Sequence, residues 1–466
     1  MGNAHFMILH DCSVYAISRL GQSSFFLGKF LWFAVLIVAL SGSIYRIEKF
    51  SFLYKQYPVV VSLKMDRKQS LMFPAVTVCN INRLKTEGIR CLIPSNMKPN
   101  SIGPPLIFSE SRELYFCKTD QNSSRENEKD QLQTNFLTFY YSLSERSRFE
   151  LGHNPMDFMA NCSFNGRLCS RSRFRYFTDF RFGNCITFNN QRKGMSPLKI
   201  SNAGVDSGLI LRLKLESSHY LKVTHTSGAR VVIHDPSEAP NPDQNGFNVS
   251  PGFETTISLK QTVYHRLPAP YKDYCLDYKA QTTNFMKSKD ACVRTCMQQW
   301  YLEKCGCIDR MLSSMNDQEF CRLTNATEAC CLVRVLEYLA ENEITCNCPL
   351  PCNSVYFNEK VSSAVLSPQT FINRTYCERG SSKTIIKEDY VRLNIFYSSL
   401  ERQIYEQRPK WETPEFLSFL GNELGLWLGI SLLTLFDLFE KLVIFIKHEV
   451  VSRIFCGLQR KLFVKK

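Results

Sequence analysis

The sequence predicts a membrane protein in which two transmembrane helices enclose a large, disulfide-rich α+β extracellular domain, and three observations lead there. An uncharged apolar run occupies residues 30–45, and a second apolar run occupies residues 424–446. Of the 20 cysteines in the 466 residues, all but Cys12 and Cys456 fall between these runs.

The first run is bounded by Lys29 and Arg46, whose aliphatic stems can snorkel to the two membrane interfaces. Sixteen residues fall just short of a span, so the reading continues outward to residues 30–50. At about 1.5 Å per residue, roughly 20 residues of helix match a hydrocarbon core of about 30 Å. A cleaved signal peptide is the alternative. It fits poorly, because 29 residues precede the run and no small-residue cleavage pattern follows it.

The second span is placed at residues 416–446 and contains Asp437, Glu440 and Lys441. Charges at membrane depth call for water or partners rather than lipid. Beyond it, Lys447, Arg453, Arg460, Lys461, Lys465 and Lys466 oppose only Glu449, which marks residues 447–466 as a cytoplasmic tail. Two spans then make residues 1–29 cytoplasmic too. Arg46, Lys49 and Lys55 on the extracellular side of the first run outnumber Arg19 and Lys29 on its cytoplasmic side. That local conflict is secondary, since long loops translocate largely regardless of charge. The formal net charge of +14 comes with no nucleic-acid-binding motif. A basic tail at a membrane exit suits anionic lipid headgroups better, so the lipid membrane is an expected partner and nucleic acid is not.

Residues 51–415 form the expected extracellular domain. Its eighteen cysteines allow up to nine disulfides in an oxidising compartment, with the pairing open. A zinc cluster over residues 346–352 is the competing reading, disfavoured because extracellular thiols oxidise and no paired histidines accompany them. Five Asn-x-Ser/Thr sequons, at Asn122, Asn161, Asn248, Asn325 and Asn373, lie in the same region. Alternating or β-rich stretches at 58–63, 75–79, 209–215, 229–234, 255–267 and 390–397 read as strands. Helical periodicity is clearest over 288–303 and 328–341, within the cysteine-dense part, and the polar stretch 118–133 reads as a solvated loop.

Several ordered motifs then become recognisable. Phe73-Pro74-Ala75-Val76-Thr77-Val78-Cys79-Asn80 follows the first span, and Phe182-Gly183-Asn184-Cys185-Ile186-Thr187-Phe188-Asn189 comes next. Arg266-Leu267-Pro268-Ala269-Pro270-Tyr271 precedes Cys275, and Cys346-Asn347-Cys348-Pro349-Leu350-Pro351-Cys352 precedes Tyr356. In this order between two spans, over nearly the whole chain, the sequence resembles the epithelial sodium channel/degenerin family. The spacing of Cys162, Cys169 and Cys185 looks most like the invertebrate pickpocket-type branch.

The resemblance implies a trimeric channel, homomeric or heteromeric, that passes sodium ions through the plasma membrane without a cofactor or bound metal. It assigns the narrow filter to Gly429, Ile430 and Ser431, within Gly421-Asn422-Glu423-Leu424-Gly425-Leu426-Trp427-Leu428-Gly429-Ile430-Ser431. The chemistry is reasonable. Glycine permits close approach and non-helical backbone, and carbonyls with the Ser431 hydroxyl can replace part of a cation's hydration shell. Small residues four apart are otherwise a helix-packing device. Asp437 and Glu440, six and nine residues after Ser431, are three apart and fall on one helical face; in a symmetric oligomer each becomes a carboxylate ring that concentrates cations. Solvation or pairing with Lys441 is the plainer role for Glu440. Ser418, thirteen residues before Ser431, matches the family position where a small side chain is needed for closure.

Some positions depart from the family pattern. Tyr15-Ala16 stands where the family carries a His-Gly pair implicated in gating, Ile430 is larger than the usual middle filter residue, Asp437 replaces Glu, and Asn422 replaces a second Gly. These departures leave room for a regulatory subunit that conducts poorly alone and works in a heteromer. A two-span receptor without a pore would carry uniformly apolar spans, and an ATP-gated purinergic channel would carry nucleotide-reading lysine motifs that are missing. No nucleophile elbow, phosphate-binding loop or zinc-hydrolase motif points to an enzyme.

Overall fold

The computed structural model describes residues 18–19, 25–87, 136–137, 139–192, 194–221, 223–280, 288–312, 318–323, 325–367, 389–437, 439–440, 443–444 and 446–447. Tyr15, Ala16, Asn122, Asn373, the 118–133 stretch and the tail beyond residue 447 lie outside them. The chain forms two compact units, one of Met1–Val61, Ala269–Lys272 and Gln407–Lys466, the other of Ser62–Pro268 and Asp273–Glu406.

The second unit is built on β-structure because its strands alternate β-branched and aromatic residues over short runs. A seven-stranded mixed sheet contains β1 (Val59–Arg67), β4 (Met159–Phe164), β5 (Arg167–Leu168), β9 (Leu209–Lys214), β12 (Phe253–His265), β13 (Asn353–Val365) and β14 (Tyr390–Pro409). Its order is β13-β12-β14-β9-β4-β5, with β1 also pairing β14. β12 runs antiparallel to β13 from Phe253↔Val365 to His265↔Asn353, and parallel to β14 with a register shift between Leu259 and Gln261. A second sheet, of five antiparallel strands, contains β3 (Ala75–Asn80), β6 (Phe174–Asp179), β7 (Gly183–Phe188), β10 (Ala229–His234) and β11 (Gly246–Val249), in the order β11-β10-β3-β7-β6. A two-stranded ladder of β2 (Leu71–Met72) with β8 (Lys199–Ile200) completes the β-structure.

One apolar core joins these sheets. Val76, Val78, Ile186 and Phe188 from the five-stranded sheet share it with Leu211, Ile257, Leu393 and Ile395 from the larger one. Each such side chain contributes about 1.5–3 kcal/mol on burial. The alternation of Leu209, Leu211 and Leu213, all buried, with half-exposed Ile210 and Arg212 shows why this segment is a strand with one face inward.

The helical part is cysteine-rich, as the periodicity indicates. α3 (Lys289–Cys305) starts where Ser288 Oγ accepts the Ala291 N–H and ends at Gly306, while α4 (Ala326–Glu341) starts at Asn325. A short helix, α2 (Glu145–Leu151), lies earlier in the chain. Tyr301, Leu332, Val335 and Leu339 form the local core. Cys305–Cys331 links α3 to α4, and Cys292–Cys348 and Cys296–Cys346 tie α3 to the following segment. Cys275–Cys352, Cys307–Cys321, Cys79–Cys185 and Cys162–Cys169 add further links, and Cys330 is disulfide-bonded too. The three sulfurs of residues 346–352 are therefore consumed in disulfides, which removes the zinc reading of that motif.

In the first unit, α1 (Phe26–Lys55) is 30 residues long, longer at both ends than the expected 30–50. Among the described residues it is the one helix long and apolar enough to cross a membrane, with mean hydropathy 1.9 over its most apolar 18-residue window. The stretch expected as the second span is helical as α5 (Thr413–Leu428), leaves the helix at residues 429–431, and is helical again from residue 432. The interruption divides that stretch, which is why it does not register as one long apolar helix.

Candidate functional site

The candidate site is the α1–α5 pair and the break that ends α5. Glu415 reaches back to accept the backbone N–H of Glu412 at 3.0 Å, and Pro414 sits in the first turn, so the start of α5 is well defined. Phe416, Phe419, Glu423 and Trp427 recur at helical spacing and make one face. Phe50 of α1 stacks on Phe419 with ring centroids 3.9 Å apart, touches Trp411 edge-on at 5.2 Å, and lies 6.0 Å from Phe416. Tyr54 stacks on Phe416 at 4.5 Å.

Deeper along the pair the contact becomes polar. Glu423 is only 3 % exposed; its Oε2 accepts from Trp427 Nε1 at 2.9 Å, and its Oε1 lies 3.4 Å from Arg46 Nη2. The Trp427 ring then fills the notch left by Gly42, where an added Cβ would lie 2.7 Å from the indole. Gly42 is thus the close-approach glycine between the helices, and Gly425 and Gly429, the small residues four apart for which helix packing is the alternative to a filter, do not make this contact.

Those small residues lie elsewhere. Ser418, Gly421, Gly425 and Gly429 also recur at helical spacing, on the side of α5 away from α1. Ser418 is exposed, and a Cβ built on Gly421 or Gly429 meets no atom within 4 Å. The helix stops at Gly429, whose φ of 68° is left-handed and whose N–H donates to Gly425 O at 3.0 Å. Ile430 and Ser431 follow in non-helical conformation. Ser431 then begins the next helical segment: its Oγ accepts the Thr434 N–H at 3.3 Å, and its carbonyl accepts the Leu435 N–H at 3.1 Å. The sequence-assigned trio therefore forms one exposed or half-exposed link between helices. Asp437 is helical and half-buried, and Glu440 is helical and exposed.

Three sequons fall on described residues, and all three asparagines are exposed. Asn161 sits on β4 beside the disulfide-bonded Cys162, Asn248 sits on β11 and accepts from Arg230 Nη1, and Asn325 caps α4 by accepting the Thr327 N–H. Sequence reasoning also missed the polar cluster around Glu216. Lys85 Nζ lies 2.5 Å and His153 Nδ1 3.3 Å from Glu216 Oε2. The bond from His153 and the charge of Lys85 hold the Glu216 carboxyl well below the ordinary range. His234 is buried between Thr77 Oγ1 and the Asp235 carbonyl, and burial pushes its pKa down to about 4, so it is neutral at physiological pH. Burial alone pushes Glu359 of β13 up to about 7.

A chain with this disulfide-braced α+β unit and a broken small-residue helix matches one protein family over residues 8–440, that of the amiloride-sensitive sodium channel. The chain belongs to that family. It is similar to acid-sensing ion channel 1A of Danio rerio, 28 % identical over 441 residues, covering 90 % of this chain and 83 % of the relative. Acid-sensing ion channel 1 of Gallus gallus is 28 % identical over 424 residues, covering 88 % and 77 %. Degenerin mec-10 of Caenorhabditis elegans is 28 % identical over 330 residues, covering 68 % of this chain and 45 % of the relative.

Proposed function

We propose that this chain is a subunit of a gated, sodium-permeable cation channel of the plasma membrane, with the conduction path along the free face of α5. The observation that carries the reading is the helix break at Gly429-Ile430-Ser431, an exposed or half-exposed non-helical link that follows the small-residue face of α5 away from α1. Non-helical backbone is tolerated at membrane depth where it lines water or is buried in protein. In this reading residues 30–50 and 416–446 cross the membrane, residues 51–415 are extracellular, and the tails 1–29 and 447–466 are cytoplasmic. Three copies, identical or mixed with other members of the family, place the break around one axis. Asp437 and Glu440 follow it as carboxylate rings that favour sodium over anions, and Ser418 stands where the outer ends of the three helices meet. Conduction is passive and uses no covalent step.

Whole-cell current tests this with the chain expressed alone and with family subunits, bath sodium being exchanged for a large organic cation. A bulky side chain at Ser418 crowds the closed arrangement, so Ser418→Phe raises basal sodium current about tenfold for a penalty of about 1.4 kcal/mol. Removal of bath sodium abolishes the inward component. Surface-expressed wild type and Ser418→Phe that carry no sodium current in either setting would overturn the reading.

A further inference from the structure

A cleft of about 620 Å³ opens between the start of α2, strand β6, helix α3 and the side chains of Arg310, Met311 and Phe320, all within the β-core unit. Four arginines line it, Arg148, Arg175, Arg294 and Arg310, against two carboxylates, Glu145 and Asp179. The carboxylates offset the arginines only in part and through space, Asp179 acting on Arg294 and Glu145 on Arg148. Asp179 Oδ1 is occupied by the backbone N–H groups of Arg181 and Phe182, at 2.8 and 2.9 Å, and among the described residues no ion pair joins any of the four arginines to a carboxylate.

Arg148 makes the imbalance costly. Its residue is 9 % exposed, its guanidinium lies between the rings of Tyr140 and Phe180 at 5.6 and 5.1 Å, and one N–H donates to the Leu143 carbonyl at 2.7 Å. Its Nε is buried with no partner. Arg310 donates to the Tyr141 carbonyl and covers the Phe320 ring at 4.7 Å, so it too is oriented by neutral groups. Arg175 is exposed and Arg294 half-exposed, with donors directed to no protein acceptor among the described residues. A buried or half-buried charge without a counter-charge is unfavourable, and guanidinium forks match carboxylate and phosphate oxygens in pairs. Part of the remaining wall is apolar, with Phe177, Phe180, Met311 and Phe320, beside the polar Thr178, Thr187 and Asn190. Pockets of this volume and mixed lining are typical of small-ligand sites.

From this geometry we infer that the cleft binds a small organic anion: one or two carboxylate or phosphate groups held by the arginines, and an apolar body against the phenylalanines. The anionic groups sit between Arg294 and Arg310, with Arg175 at the mouth, and Arg148 supplies fixed positive potential from the wall. The site acts by equilibrium binding and needs no reaction.

Binding is read on the purified full-length chain in detergent, independently of any current. The probes are phenylacetate, phenyl phosphate and benzene-1,3-dicarboxylate, with benzamide as the neutral control and inorganic phosphate as the body-free control; calorimetry and thermal unfolding report the result. An aromatic anion stabilises the wild-type chain, benzamide does not, and inorganic phosphate binds more weakly than phenyl phosphate. Carboxylate or phosphate preference is read from the first two probes. Arg294→Gln and Arg175→Gln, at positions whose side chains make no hydrogen bond or ion pair among the described residues, each weaken binding about tenfold or more, as expected for one charge-assisted contact. Equal affinity for benzamide, or anion binding unchanged in both Gln variants, would overturn the site.

Discussion

In the β core the large apolar side chains point inward, whereas on α1 they point outward. Val231, Ile257, Leu393 and Tyr397 are fully buried, while Phe26, Phe30, Val38 and Phe52 are each more than 60 % exposed. The two units therefore rely on different forces. Apolar burial, helped by disulfides, organises the β core; the α1–α5 pair depends on aromatic stacking, one glycine notch and one buried carboxylate. What differs is where an exceptional residue matters: a polar group inside the β core is structural ballast to be satisfied, but Glu423 is the contact that fixes how α5 is rotated on α1.

Removing a crosslink from the β core has the largest expected effect. Cys79 and Cys185 are both fully buried and join β3 to β7 across 106 residues. Replacing both by serine costs about 2–5 kcal/mol and lowers the yield of folded chain at the cell surface. Undiminished surface yield and thermal midpoint would mean that burial alone carries this unit.

The helix pair should respond to volume rather than to crosslinks. Gly42→Val drives a side chain into Trp427 and costs about 1–3 kcal/mol, while the double variant with Trp427→Leu recovers at least about 1 kcal/mol of that loss. Thermal unfolding of the four chains in detergent gives the coupling. Additive losses would show that the notch is not what sets the helix spacing.

Acid distinguishes two carboxyls within the β core itself, with the smallest effect. Glu216 is held low, so its contribution is complete above its ordinary pKa and is lost as pH falls. Glu359 is raised to about 7, so its contribution is complete below its ordinary pKa and is lost as pH rises through about 7. Comparing thermal midpoints at mildly acidic and mildly alkaline pH, Glu359→Gln removes a change of about a degree or two across neutrality, and Glu216→Gln leaves that window unaltered while flattening the acid limb. The reverse assignment would break this distinction.

Local patterns made some elements legible to the residue. Residues 229–234 read as a strand from Ala-Arg-Val-Val-Ile-His, and β10 has those bounds. The helices expected at 288–303 and 328–341 differ from α3 and α4 only at their ends. β13 was missed, because Asn353–Val365 alternates polar residues along an exposed edge and becomes a strand through its thirteen-residue pairing with β12. β14 was seen only to 397, since its polar continuation to Pro409 is held by long-range partners. In the candidate site, the break at 429–431 carries a local motif. The Arg46–Glu423 contact spans 377 residues, and no periodicity in one helix names its partner in another.

The glycine that ends α5 also has a stereochemical consequence. Space does not exclude a side chain at Gly429, because a Cβ there would touch nothing within 4 Å. What excludes it is the hand of the natural amino acids, which makes this conformation cost about 1–2 kcal/mol for an L residue. A mirror-image D-alanine would sit there without strain, whereas L-alanine would pull the backbone toward an unbroken helix. The interruption is thus protected by chirality rather than by crowding, and among the encoded residues only the achiral one keeps it at no cost.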